Sequence, residues 1–215
     1  FNAGVRTQVT EVNKYGAEWQ TDLRIGASPR FLTEFYQPIG YDWDWFVAPR
    51  LLVERSNFDF IRDEERLATY RVRNQQAELD VGRTFGNWGE LRVGLIRGAG
   101  DQQLLVGDPE DPDLPPPVDF ERGELYSRFT LDRLDDVYFP RNGESFTLQW
   151  NGPREALGAG ANADRISFDW LLARSSGRNT FVLWTSGGVA VSGPQDSVQD
   201  FYTLGGLFNL SGLPA

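Results

Sequence analysis

The sequence contains no cysteine and no histidine, and its only lysine is Lys14. Without cysteine there is no disulfide, no thiol nucleophile and no thiolate metal site. Without histidine the usual general base and the commonest metal ligand are both missing. One lysine leaves almost nothing for Schiff-base or serine–lysine chemistry. We therefore expect no catalytic residue, no metal site and no cofactor in this chain.

Basic charge and long apolar runs are also scarce. The 21 basic residues face 31 acidic ones, for a net charge of −10, which argues against a nucleic-acid partner. The longest apolar runs, such as 181–184, are far shorter than the roughly 20 residues of a membrane helix. At 40% hydrophobic and 13% aromatic residues, the chain is nevertheless too apolar to be disordered.

Apolar and polar side chains alternate along much of the chain, as they do in β-strands with one apolar face. In the stretch 17–25, for example, Trp19, Leu23 and Ile25 alternate with charged or amide side chains. No segment has the helical period, so the pattern predicts an all-β, antiparallel fold. Strands are expected near residues 1–11, 16–25, 30–37, 43–55, 67–85, 89–97, 123–133, 143–151, 163–174 and 179–190.

The predicted connections fall into two sizes. Longer ones cover 56–66, 99–122 and 151–162, and short ones alternate with them, apart from a tight turn at 26–29. Several strands are predicted to be about 9–12 residues long, close to the length of a tilted membrane strand. Turns on one side and long loops on the other are typical of an up-and-down outer-membrane barrel.

Alternation alone does not say which face of the sheet meets water. A soluble sandwich turns its apolar face inward, whereas a membrane barrel turns it outward. In a barrel, charged residues at strand centres, such as Glu78 with Asp80 and Glu124 with Arg128, would form arginine–carboxylate pairs around a hydrated lumen. Aromatic residues near predicted strand ends fit either membrane-interface girdles or a core: Trp43, Trp45, Trp88, Tyr138, Phe139 and Trp150.

Two acidic segments are candidate cation or acid–base sites. The proline-rich stretch 107–117 lacks the glycine hinge and the terminal glutamate of a helix–loop–helix calcium site, and its prolines favour an extended, solvated loop. The stretch 131–143 combines three acidic residues with a Pro-Arg-Asn-Gly run, which is typical of a tight turn after a strand. We interpret both segments as connections rather than sites.

Two motifs are distinctive when taken together. The first comprises Asp132, Phe139, Pro140 and Gly143, and the second comprises Leu204, Gly205, Gly206, Leu210, Ser211 and Gly212. Together they resemble the bacterial surface antigen family, the sixteen-stranded outer-membrane barrels of assembly factors and two-partner secretion transporters. The stretches 16–26, 34–38 and 46–49 are similar to one branch, the patatin-like autotransporters of type V secretion, subclass d, in which a secreted phospholipase precedes the barrel.

The resemblance implies a fold and a place in a longer chain. Residues 1–215 would form about ten or eleven strands of a partial, antiparallel, up-and-down transmembrane β-barrel. Residues 191–215 would fold back into the lumen, and an upstream phospholipase domain and the final strands would lie outside this chain. The family motif has arginine in place of Ser211 and a bulky aromatic in place of Leu213, so its lumen salt bridge does not transfer to this sequence.

The resemblance also implies a function without catalysis in this segment: anchoring, and translocation, in the bacterial outer membrane. The implied partners are outer-membrane lipid and lipopolysaccharide, the passenger domain of the same chain and the outer-membrane assembly machinery, and an oligomer is compatible with the sequence. Two alternatives stay open. One is a barrel of the same family that assembles or transports other proteins, and the other is a soluble β-sandwich binding module.

Overall fold

A computed structural model describes residues 1–40, 44–62, 65–112, 114–136 and 138–193. It has one ten-stranded sheet in which every strand pairs antiparallel with its neighbours in chain order. Within the described residues there is one short 3₁₀-helix, Glu155–Leu157, and no helix long and apolar enough to cross a bilayer. The strands are β1 (Asn2–Val9), β2 (Glu18–Gly26), β3 (Arg30–Ile39), β4 (Trp45–Arg62), β5 (Glu65–Phe85), β6 (Gly89–Val106), β7 (Val118–Asp132), β8 (Gly143–Pro153), β9 (Asp164–Ser176) and β10 (Asn179–Ser192).

All ten predicted strands are present, and the up-and-down order is confirmed. The predicted long loops at 56–66 and 99–122 are wrong in extent, because β4, β6 and β7 continue through most of both segments. In the extension of β4 the apolar residues Phe58 and Phe60 lie on the opposite face from Leu51 and Val53, so the alternation of the preceding segment is broken there. Backbone hydrogen bonds to neighbouring strands need no such pattern, and β4 and β5 stay paired as far as Arg62 and Glu65.

The connection between β6 and β7 folds onto the sheet, so the predicted extended, solvated loop is wrong for its second half. Leu114 is buried in a small apolar cluster with Ala68 and Tyr70. The Tyr70 hydroxyl donates a hydrogen bond to the carbonyl oxygen of Pro115 (2.8 Å). These contacts bring the loop against β5 at the end of the sheet where the longer connections lie.

The connection between β7 and β8 contains the first family motif. Asp132 ends β7, Phe139 lies at an exposed position, and Gly143 begins β8 with a φ of +113°, a conformation that L side chains rarely adopt. Asp135 organises this turn by accepting hydrogen bonds from the backbone N–H groups of Asn142 (3.0 Å) and Arg141 (2.9 Å). These bonds favour the ionised carboxylate and hold the pKa of Asp135 below its usual value.

The C-terminal boundary of the sheet differs from the predicted one. Residues 191–215 were expected to form a fold-back region, but β10 continues to Ser192, so the first two of them are strand. The second family motif, Leu204 to Gly212, lies outside the described residues and its role stays a prediction. Within the described residues β1 and β10 do not pair, so the sheet is open there.

Replacing Asp135 with asparagine should destabilise the full parent protein at neutral pH and have little effect in acid. The pKa of Asp135 is lowered by folding, so its stabilising contribution is present above the pKa of the unfolded chain and is lost as the pH falls through the lower folded value. Denaturant unfolding of wild type and D135N over a pH series measures the difference. Glu110→Gln, in another exposed connection, is the control, and a D135N effect that does not change with pH would contradict the assignment.

Candidate functional site: an apolar outer face and a charged inner face

The two faces of the sheet have opposite polarity and burial, as β5 illustrates. Leu79 and Val81 are 51% and 49% exposed, whereas Glu78 and Asp80, between and beside them, are 5% and 0% exposed. A strand of a soluble sandwich has the reverse arrangement, with its apolar side chains buried and its charges in solvent. We call the face with Leu79 the outer face and the face with Asp80 the inner face.

The apolar outer face continues across all ten strands. Its residues lie directly opposite one another on neighbouring strands, for example Val81 opposite Val93 and Leu148 opposite Phe168. Such pairs stack side chain against side chain on one surface, so the face is a continuous band rather than scattered residues. Its exposed members include Val5, Leu23, Phe31, Leu51, Val53, Leu79, Val81, Leu91, Val93, Leu95, Leu125, Leu148, Phe168, Leu183 and Val189.

Aromatic side chains lie near the ends of this band. Trp45 is 53% exposed on the outer face at the short-turn end. Trp150 lies at the opposite end, where its ring nitrogen donates a hydrogen bond to Asp164 (3.1 Å). Tyr138 and Phe139 are more than four-fifths exposed in the turn after β7, so they are not core residues. Trp43 lies outside the described residues.

The inner face is organised around Arg92 on β6. Its guanidinium lies 3.2 Å from a carboxylate oxygen of Glu34 and 3.4 Å from one of Asp80, and it also pairs with Glu90. Arg50 on β4 joins the same cluster by pairing with Glu78 and, at 3.9 Å, with Glu34. Four carboxylates thus share two arginines, and this inner cluster carries net negative charge.

The ion pair between Glu34 and Arg92 shows that the sheet curls toward its inner face. Glu34 lies on β3, and the register places it level with Ile96 on β6, four residues along the strand from Arg92. In a flat sheet the two Cα atoms would be about 14 Å apart across the strands and about 13 Å apart along them, beyond the reach of the two side chains. Their charged groups nevertheless meet at 3.2 Å. The curl also leaves a hollow of about 320 Å³ beside Arg92 that is lined by Glu18, Gln20, Glu34, Tyr36 and Glu90.

A second polar group extends the inner network toward β8. Arg122 pairs with Glu124 (2.7 Å), and the other carboxylate oxygen of Glu124 accepts a hydrogen bond from Asn151 (3.2 Å). The lattice expected from the sequence is therefore present, but with different partners. Arg128 donates to Gln149 (2.8 Å) rather than pairing with Glu124.

Two glycines let aromatic rings lie flat against the inner face, a feature that the sequence analysis missed. Gly94 is in register with Asp80 on one side and Tyr126 on the other, and the Tyr126 hydroxyl crosses it to donate a hydrogen bond to Asp80. Phe46 covers Gly82 in the same way, and the Arg92 guanidinium lies 5.0 Å from the Phe46 ring centre. Glycine in the middle of a strand was the available signal.

The inner face is connected by ion pairs and hydrogen bonds between its own side chains, such as those of Arg92 and Arg122. In the described part of the chain, no group of three or more acidic side chains is placed to hold a metal ion. The acidic stretch 107–117 belongs to that description except for Asp113. What the arrangement does achieve is a curved, polar surface whose buried charges are compensated inside the sheet.

Comparisons with known proteins identify the fold. Neither a protein-family profile nor a curated protein sequence matches the chain. The chain is similar to the crystal structure of BamA from Haemophilus ducreyi lacking POTRA domains 1–3, with 13% sequence identity and a TM-score of 0.71. The match covers 96% of this chain and 41% of that one, so the chain spans less than half of that protein's length. The predicted up-and-down barrel fold is thus confirmed, as an open ten-stranded portion.

Replacing Leu148 with arginine should disrupt membrane assembly of the full parent protein. Replacing the preceding residue, Thr147, whose side chain lies on the inner face, should not. Leu148 lies in the apolar band, where a lipid-facing arginine costs about 2–4 kcal/mol near the bilayer centre. Thr147 is in register with Asp169 on the inner face, so an arginine there gains a carboxylate partner. The measurement is the yield of each variant in purified outer membranes. Equal yields for L148R and T147R would contradict the assignment of the two faces.

Replacing Gly94 with alanine should destabilise the sheet by separating Tyr126 from Asp80. A Cβ at this position would lie 2.8 Å from a Tyr126 ring carbon and 3.0 Å from the Leu79 carbonyl oxygen. Overpacking of this kind costs about 1–3 kcal/mol. Gly160→Ala is the matched control because nothing lies within 4 Å of its added Cβ. Denaturant unfolding of the parent protein should separate the two variants, and equal stabilities would count against the packing described here.

Proposed function

We propose that this chain is part of an outer-membrane β-barrel whose outer face contacts lipid and whose inner face lines a hydrated interior. The observation that carries the proposal is the reversal of polarity on β5, where Leu79 is half exposed and Asp80 is fully buried. In water such a surface would leave a continuous apolar band without cover, far beyond the few hundred Å² that soluble monomers tolerate. In lipid the same band is buried.

The pairing of backbone groups between strands supports the same conclusion. Every backbone N–H and C=O group in hydrocarbon needs a partner, and a sheet provides them between strands when it closes into a barrel. Eight of the ten strands are paired on both edges, and only β1 and β10 lack a second partner among the described residues. The closing strands would then be supplied outside the part of the chain that the structure describes, as the sequence resemblance implies.

The assembly and secretion type of barrel is the better supported branch. The fold likeness to BamA supports it, and so do the turn motif residues Asp132, Phe139, Pro140 and Gly143. On this proposal the barrel works with other outer-membrane proteins and with the outer-membrane assembly machinery. Its role is to bind and guide polypeptide rather than to catalyse a reaction, since the chain lacks the residues that most enzymes use.

The patatin-like autotransporter anchor is the second candidate. It rests on the sequence similarity of 16–26, 34–38 and 46–49, which include parts of β2, β3 and β4. In that case the barrel anchors an upstream phospholipase and the enzymatic activity belongs to that domain. The two candidates differ in what precedes residue 1 in the parent protein. A Gly-x-Ser-x-Gly hydrolase domain supports the anchor, and repeated chaperone-like modules support the assembly or secretion barrel.

A heat-dependent shift in electrophoretic mobility tests the proposal. The full parent protein should fractionate with outer membranes and migrate differently on a denaturing gel before and after boiling, because a closed barrel resists detergent until it is heated. The L148R variant serves as a control for loss of the lipid-facing band. Recovery of the parent in the soluble fraction, with no shift on boiling, would overturn the membrane assignment.

A further inference from the structure

Three arginines form an unusual group on the outer face, beyond the apolar band. Arg55 lies on β4 and Arg71 and Arg73 lie on β5, all with side chains on the same face as Val53 and Leu79. Arg55 is directly in register with Arg73, and Arg71 is in register with Asn57. We call Arg55, Arg71 and Arg73 the arginine patch.

The positive charge of the arginine patch is poorly compensated. Arg73 has one carboxylate near it, that of Asp101 at 3.9 Å. Among the described residues no carboxylate lies within ion-pair distance of Arg55 or Arg71, and the Nε of Arg71 is buried without a hydrogen-bond acceptor. Like charges directly opposite each other destabilise a strand pair. In a protein of net charge −10, whose inner-face arginines Arg50, Arg92 and Arg122 each pair with a carboxylate, such a patch indicates an external anion.

The position of the patch indicates where that anion comes from. Along β4, Arg55 follows Val53, a 48% exposed member of the apolar band, by two residues, or about 7 Å. Along β5 the order is Leu79, Ala77, Gln75 and then Arg73. The patch therefore lies just beyond the band, on the side of the longer connections. In a bilayer that level is occupied by lipid headgroups and their phosphates.

We propose that the arginine patch binds the phosphate of an anionic lipid headgroup in the leaflet on the long-connection side. Guanidinium groups match phosphate with two parallel hydrogen bonds and lose their hydration more readily than lysine. Arg55 and Arg71 would gain a counter-ion, and the repulsion between Arg55 and Arg73 would be relieved. The inference rests on the proposed membrane location, and it adds a lipid partner of defined chemistry.

Lipid binding by the purified parent protein in detergent tests the inference. Native mass spectrometry during titration with phosphatidylglycerol, zwitterionic phosphatidylcholine or inorganic phosphate measures each affinity separately. The wild type should prefer phosphatidylglycerol. Because an arginine at an anionic membrane surface strengthens binding about fivefold, the double variant R55Q/R71Q should bind phosphatidylglycerol roughly thirtyfold more weakly. This variant leaves the Arg73–Asp101 pair in place.

The control is the double variant R141Q/R178Q, which removes the same charge from exposed turns at the opposite end of the sheet. It should bind phosphatidylglycerol within about twofold of wild type if the effect is local rather than a consequence of net charge. Equal losses in the two double variants would overturn the proposal. If the wild type binds inorganic phosphate tightly and R55Q/R71Q abolishes that binding, the bound anion is free phosphate rather than a lipid headgroup, and the proposal is overturned.

Mobility shifts on boiling separate this inference from the proposed function. If both double variants keep the shift and the patch variant alone loses phosphatidylglycerol, the inference is supported. If all proteins keep the shift and none prefers phosphatidylglycerol, the arginine patch is not a lipid site and the barrel proposal stands. If the wild type shows no shift, the barrel proposal fails first and the inference fails with it.

Discussion

The cluster of Arg92 with Glu34, Asp80 and Glu90 is the interaction on which the shape of the sheet depends. It joins β3, β5 and β6 across the concave face, and the distance between Glu34 and Arg92 requires the intervening strands to curl. Removing one partner of a buried ion pair usually costs about 3–5 kcal/mol because the remaining charge loses its compensation. The glycines at positions 82 and 94 leave room for the rings of Phe46 and Tyr126 to lie over the same strands. The same contacts therefore account for the curvature of the sheet, the burial of the inner-face charges and the exposure of the apolar face.

Much of this architecture could be predicted from the sequence, because apolar and polar side chains alternate between the two faces of most strands. The ten strands, their order and the alternation from Trp19 to Ile25 follow from a period of two. Which face is concave could not be predicted, since alternation is symmetric between a sandwich and a barrel. The fold of the chain around Arg92 and Asp80 decides that question through long-range contacts.

The errors also have physical causes. The extensions of β4 and β6 do not continue the alternation of the segments before them, since Phe58 and Phe60 change face and residues 104–106 are apolar in succession, so backbone pairing is what marks them as strand. The prolines and acidic residues around Leu114 predict a solvated loop, but burial of Leu114 and the hydrogen bond from Tyr70 to Pro115 together hold that loop against the sheet. Arginine–carboxylate pairs on the polar face could be predicted, but their partners could not: Arg50 pairs with Glu78 across two strands, whereas Arg92 and Glu90 lie on the same strand.

The unequal lengths of the strands have a consequence for how this protein meets its surroundings. β5 has 21 residues and β4 and β6 have 18 each, while β1 has 8. A tilted strand crosses a bilayer in about 9–11 residues, so in the proposed membrane orientation about half of each long strand stands clear of the lipid. In that orientation these three strands would extend beyond the bilayer on one side of the sheet. The outward side chains of these extensions would then meet water rather than lipid, so they need not be apolar.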